Sequence, residues 1–128
     1  MSDLRPKGYG IMVNGIERNF LFTLNAIDAV QSEFNKNVLE VIDHAVNGKD
    51  VEQVKTIRKL VEILLNDEAE REEFLHPGTK LETFTEKQAG WVVDAYLEEI
   101  KLAIMIAYGL SMPEPEEDPN QMSGQRNN

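Results

Sequence analysis

The stretch Tyr9-Gly10-Ile11-Met12-Val13-Asn14-Gly15-Ile16-Glu17-Arg18-Asn19-Phe20-Leu21-Phe22 decides how the fold begins. Asn14-Gly15 is the strongest short hairpin signal, because a type I′ turn needs positive φ at both central residues. A two-residue turn sets Val13 opposite Ile16, Ile11 opposite Arg18 and Tyr9 opposite Phe20. Paired residues share a face, so Tyr9, Ile11, Val13, Ile16, Phe20 and Phe22 are expected on one side. Met12, Glu17, Asn19 and Leu21 fall on the other. Arg18 alone breaks the apolar side, and its stem is expected to lie along that side while its head reaches water. Turn chemistry and alternation specify one register.

Beyond the hairpin, apolar residues recur at helical spacing. Asn25, with Asp28 three residues on, is expected to cap a helix carrying Ile27, Val30 and Phe34, and Asn35-Lys36-Asn37 interrupts it. A second helix is predicted from Val38 to Val46, with Leu39, Val41, Ile42 and Val46 inward and a stop at Asn47-Gly48. Asp50 and Gln53 have capping-box spacing for a third, whose stripe is Val51, Val54, Ile57, Leu60 or Val61, and Leu64. Residues 66–74 either continue that helix or form a short separate one capped by Asn66 or Asp67. His76-Pro77-Gly78 ends it in both cases.

The last helix is the longest. Thr85-Glu86-Lys87-Gln88 is a capping box, and Gly109 is the expected stop. Between them Ala89, Val92, Val93, Tyr96, Leu97, Ile100, Ala103, Ile104 and Ala107 form one stripe, with Asp94, Glu98, Glu99 and Lys101 outside it. Leu102, Met105 and Ile106 point away from the stripe, so Ile100 to Leu110 is apolar nearly all round, and Trp91 also lies off it. A helix apolar on every side is enclosed by its own domain or covered by a partner, and a small domain has few elements with which to enclose one.

These elements give an α+β fold: an N-terminal two-stranded antiparallel hairpin packed on a bundle of four to five helices. Residues 1–8 read as a flexible lead-in and 9–110 as a single domain. Residues 111–128 read as a disordered acidic tail, with Pro113, Pro115 and Pro119 set among Glu114, Glu116, Glu117 and Asp118. The 128 residues carry a formal charge of −10, which works against binding a phosphate backbone. Absence of cysteine removes disulfides, thiolate metal sites and cysteine nucleophiles. No apolar run reaches the ~18–20 residues that span a bilayer. The first residues lack the apolar stretch of a secretory signal, so the cytoplasm is the expected compartment.

Catalytic patterns are thin. His44 and His76 stand in no metal-binding spacing, and Asp43 and His44 point about 100° apart on a helix. The run Asp67, Glu68, Glu70, Glu72 and Glu73 lacks the calcium-loop pattern and reads as a solvated helix face. Asn47-Gly48-Lys49-Asp50 is no phosphate loop, and no serine sits in an elbow motif. The expectation is a protein without enzymatic activity, cofactor or metal. Met12, Leu21, Phe74, Leu75, Leu81 and Phe84 are apolar residues that no stripe claims, with ordinary core as the bland alternative.

The order of parts carries a resemblance. A hairpin written Val13-Asn14-Gly15-Ile16-Glu17-Arg18-Asn19-Phe20 runs into Thr23-Leu24-Asn25-Ala26-Ile27-Asp28-Ala29-Val30, and a second helix opens at Val38-Leu39-Glu40-Val41-Ile42. The chain closes on a long helix, Gly109-Leu110-Ser111 and the acidic Pro-rich tail. Over about residues 9–118 this layout resembles the tail assembly chaperones of long-tailed bacteriophages and prophages. The resemblance implies a protein of the bacterial host cytoplasm that acts during tail morphogenesis and is absent from the finished tail. It implies binding to the tape measure protein, a long helical aggregation-prone chain, and recruitment of tail tube subunits through a longer frameshifted product. The layout transfers no binding site position by position.

A chaperone of this kind needs an apolar surface for its client and like charge elsewhere to keep the complex soluble. The candidate partner-binding residues are Trp91, Leu102, Met105, Ile106, Leu110 and Met112, by helix-in-groove contact. Two other readings stay open. One is a small structural or scaffold protein, a homo-oligomer through its last helix. The other is an acidic regulator mimicking nucleic acid, whose signature would be carboxylates arrayed on one face; here they spread over several helices and the tail.

Overall fold

A computed structural model describes residues 8–111. Of the lead-in expected over residues 1–8 and the tail expected over 111–128, residues 1–7 and 112–128 lie outside the described residues, and Ser111 is the last residue of a helix rather than the first of a tail. The architecture is α+β, a two-stranded antiparallel hairpin on four helices. β1 (Tyr9–Val13) pairs with β2 (Ile16–Phe20) in the expected register, with Tyr9 opposite Phe20 and Val13 opposite Ile16. Asn14 and Gly15 hold φ of 55° and 82°, as the tight turn requires. Ile11, Val13, Phe20 and Phe22 are buried, whereas Ile16, beside the turn, is half exposed.

Arg18 corrects the expectation set for it. The residue is 2% exposed, and its guanidinium never reaches water. Its Nε donates to Glu68 Oε1 at 2.6 Å, Nη2 to the Leu65 carbonyl at 2.8 Å and Nη1 to the Glu82 carbonyl at 3.0 Å. The Phe84 ring lies 5.5 Å from the guanidinium carbon. Glu68 also accepts from the Asn19 N–H, so this carboxylate, 5% exposed, belongs to the core and not to a solvated acidic face. A buried charge persists only when its donors and acceptors are matched, and here they are. Among the described residues no buried side-chain nitrogen or oxygen lacks a partner.

Four helices follow. α1 (Leu24–Phe34) starts one residue before Asn25, because Thr23 caps it: Thr23 Oγ1 accepts from the Ala26 N–H and donates to Asp67 across the fold. Asn35, at φ 53°, closes it in the left-handed conformation. In α2 (Val38–Asn47) Asn37 and Glu40 form a capping box. Its buried side is Val38, Val41, Ile42 and Ala45. Leu39 sits about 100° from Val38 and is exposed, against expectation.

α3 (Glu52–Leu75) is continuous through residues 66–74, and a break at His76-Pro77-Gly78 ends it, with Gly78 at φ 98°. The capping box expected of Asp50 and Gln53 is half made: the Asp50 carboxylate accepts from the Gln53 N–H, but the Gln53 side chain does not return to Asp50. The Asp50 carboxylate also meets His44 Nε2 at 2.8 Å, and the Gln53 amide donates to the Ala45 carbonyl. His44 Nδ1 meets Thr56 Oγ1 at 2.9 Å, so the imidazole clips the end of α2 to α3. Val51 and Val54, expected inward, are exposed, because the first turn of α3 runs past the packed core. Further on, Ile57, Leu60, Val61, Leu64 and Leu65 are buried. α3 packs against all three other helices and β2, which makes it the spine of the domain.

The hydrogen bond from His44 holds the Asp50 carboxyl below its usual value. A depressed carboxyl contributes stability that is present above its unfolded pKa and is lost as pH falls through the folded one. Between about pH 5 and about pH 3, thermal melts of the wild type should therefore fall more steeply than those of Asp50→Asn.

α4 (Glu86–Ser111) opens on the expected box, Thr85 accepting from the Gln88 N–H and Gln88 Oε1 from the Thr85 N–H. It runs through Gly109 rather than stopping there, because that glycine keeps a helical backbone. A break at Tyr96 (φ −133°, ψ 36°) divides it, and Leu97 beside the break is partly exposed despite its place on the stripe. Ala89, Val92 and Val93 before the break, and Ile100, Ala103, Ile104 and Ala107 after it, are buried. The alanines let α4 lie close to its neighbours.

Candidate partner-binding surface

The second half of α4 is apolar on more sides than the domain covers. Leu102 and Met105 are each 52% exposed, and Ile106 is half buried. Spacings of three and four residues place these side chains on one outward face. Leu110 lies on the last turn of the same helix, and Met112 lies outside the described residues. On the inner side Tyr108 packs edge-on against Phe22, with ring centroids 5.6 Å apart.

The hairpin extends this face. β1 packs along α4, and the Asn14 N–H at the hairpin tip donates to the Tyr96 hydroxyl at 3.3 Å. Below that tie an open groove of about 320 Å³ is lined by Tyr9, Gly10, Ile11 and Met12 of β1 and by Tyr96, Glu99 and Leu102 of α4. Met12 is 56% exposed, so Met12 and Leu102 present apolar surface from two elements at one place. Sequence reasoning left Met12 among the unclaimed residues and missed Gly10. The available signal was topological, since a two-stranded sheet has two edges.

Trp91 is exposed but stands apart. It lies before the break at Tyr96, whereas Leu102 lies after it. It lines different grooves, one with Asn14 and Phe84 and another with Val54 and Lys87. Lys87 Nζ lies 5.9 Å from its ring centroid. Leu102, on the same outward face as Met105 and Ile106, thus shares a groove with Met12 that Trp91 does not line. Of the other unclaimed apolar residues, Phe84 is core, whereas Phe74 and Leu75 are exposed at the end of α3.

Charge surrounds the apolar face. Glu98 and Glu99 are exposed on α4, and Glu17 is exposed on β2. At the start of α4 Glu86 meets Arg58 at 2.9 Å, and a hydrogen bond from Arg58 holds its carboxyl below the usual range. A second groove, between α1 and α3, is lined by Glu33, Glu62, Asp67 and Glu70 around Lys59. There the hydrogen bond to Glu62 pushes the Lys59 ammonium up. Among the described residues no group of three or more His, Asp or Glu is arranged to hold a metal ion, and no helix is long and apolar enough to cross a membrane. Compared with protein-family models, with curated proteins and with solved structures, the chain matches none of them.

Proposed function

We propose that this protein is a phage or prophage tail assembly chaperone that works by protein–protein contact. In this reading it holds the tape measure protein in the host cytoplasm during tail morphogenesis, and a longer form of the chain brings in tail tube subunits. The exposed apolar face on α4, Leu102 and Met105 with Met12 alongside, carries the reading. A client helix laid against it would cover surface that otherwise promotes association, while a net charge of −10 keeps the loaded complex soluble. The order of hairpin, helices and acidic tail supports the same reading.

Co-expression with a tape measure protein tests it. The wild type should keep the client soluble and co-purify with it. Leu102→Asp combined with Met105→Asp should lower the co-purified client about tenfold or more, since central apolar contacts carry most of such binding. Both side chains are half exposed, so the far-UV circular dichroism and melting of the free variant should stay near the wild type. A variant that unfolds, or one that binds as before, rejects this surface. If light scattering finds a stable oligomer that the same changes dissociate, the scaffold reading replaces the chaperone reading.

A further inference from the structure

We propose, resting on the reading of this face as a protein-docking surface, that the outer edge of β1 is a strand-addition site. Its occupant is an extended apolar segment of a partner protein, flanked by lysine or arginine, which joins the sheet beside Gly10 and Met12.

The hairpin register decides which backbone groups face outward. With the turn at Asn14-Gly15, the pairs Val13/Ile16, Ile11/Arg18 and Tyr9/Phe20 exchange hydrogen bonds. Gly10, Met12, Glu17 and Asn19 then point their N–H and C=O groups away from the partner strand. Asn19 confirms the alternation, since its N–H leaves the sheet and donates to Glu68 Oε2 at 2.9 Å. The edge of β2 is therefore engaged by α3 at Asn19, while α4 ties the hairpin tip beside β1 through Asn14. Among the described residues nothing engages the N–H groups of Gly10 and Met12 on β1.

The groove between β1 and α4 runs along this open edge. Side chains alternate on a strand, so four consecutive residues line one groove only where the backbone itself forms the wall. Gly10 leaves room for the Glu17 side chain, which crosses from β2 and lies over it beside this edge. Met12 and Leu102 offer apolar contact to the side chains of an added strand.

Charge selects the occupant. The Glu17 carboxylate lies over Gly10, where an added Cβ would meet Glu17 Oε2 at 2.6 Å. Glu99 lines the α4 side of the groove. Neither carboxylate is ion-paired with a described residue. A second copy of this chain would bring the same two glutamates against them, so a cationic partner segment fits and self-pairing does not.

The probe is a short synthetic peptide of alternating valine and threonine with paired lysines at both ends, tested on the full chain by fluorescence anisotropy and amide hydrogen exchange. It should bind and protect the amides of Gly10 and Met12. A version with glutamates for lysines should bind at least about tenfold more weakly. Gly10→Pro removes one outward N–H without removing a bond of the hairpin, and it should weaken binding about tenfold. Glu17→Lys with Glu99→Lys should reverse the charge preference, and it carries the test alone if Gly10→Pro fails to fold.

Binding without protection of Gly10 and Met12 overturns the proposal. So does a self-associated chain that Gly10→Pro dissociates. No tape measure protein enters this assay. A chain that adds the strand peptide but leaves that client insoluble therefore keeps the edge site and loses the chaperone reading, and the converse result does the reverse.

Discussion

Replacing Glu68 with alanine is expected to cost about 3–5 kcal/mol, the usual penalty for removing one partner of a buried ion pair. That is a large share of the roughly 5–15 kcal/mol that keeps a domain folded. Arg18 would remain in a site that is 2% exposed, with carbonyls for company but no countercharge. The Asn19 N–H would lose its acceptor as well. Urea denaturation should show a lower midpoint at an unchanged slope. Arg18→Met with Glu68→Leu should be more stable than Glu68→Ala, because apolar packing then replaces both desolvated charges. A double variant no better than Glu68→Ala would mean that the carbonyl and amide contacts, rather than the charge pair, hold the hairpin down.

Asn66→Leu is expected to cost about 2–4 kcal/mol, since it strips the partners from both main-chain polar groups of Phe84. The Asn66 amide imitates a neighbouring strand: Nδ2 donates to the Phe84 carbonyl and Oδ1 accepts from the Phe84 N–H, each at 2.8 Å. Through this pair α3 grips the connection that leads into α4. Asn66→Asp keeps the acceptor but sets a carboxylate against a carbonyl, so it should be destabilised too. Exchange of the Phe84 amide should accelerate in both variants. Because Phe84 also lies over the Arg18 guanidinium, the costs of Asn66→Leu and Glu68→Ala should not add.

Local chemistry was readable in the sequence. Asn14-Gly15 with its alternating flanks gave the register, and Thr85 with Gln88 gave the start of α4. His76-Pro77-Gly78 marked the end of α3. What escaped depends on partners remote along the chain. Arg18 looked like a snorkelling side chain because Glu68 lies fifty positions away. Thr23 caps α1 in place of Asn25 with the help of Asp67, and Asp50 divides its carboxylate between His44 and the start of α3. Leu102, Met105 and Ile106 were recognised as surplus to one helical stripe. The meeting of Leu102 with Met12, and the separation of Trp91, required the path of the hairpin along α4.

The Arg18 contacts also order events at the ribosome. The hairpin is synthesised early, yet Arg18 cannot meet Glu68 until fifty more residues have been made, and Glu82 comes later still. At ordinary elongation rates that is a delay of roughly 3–10 s, far longer than the microseconds a hairpin takes to form. For those seconds Phe20 and Phe22 have no α3 or α4 to rest on. A nascent chain of this protein is thus born needing shelter for its first-made piece.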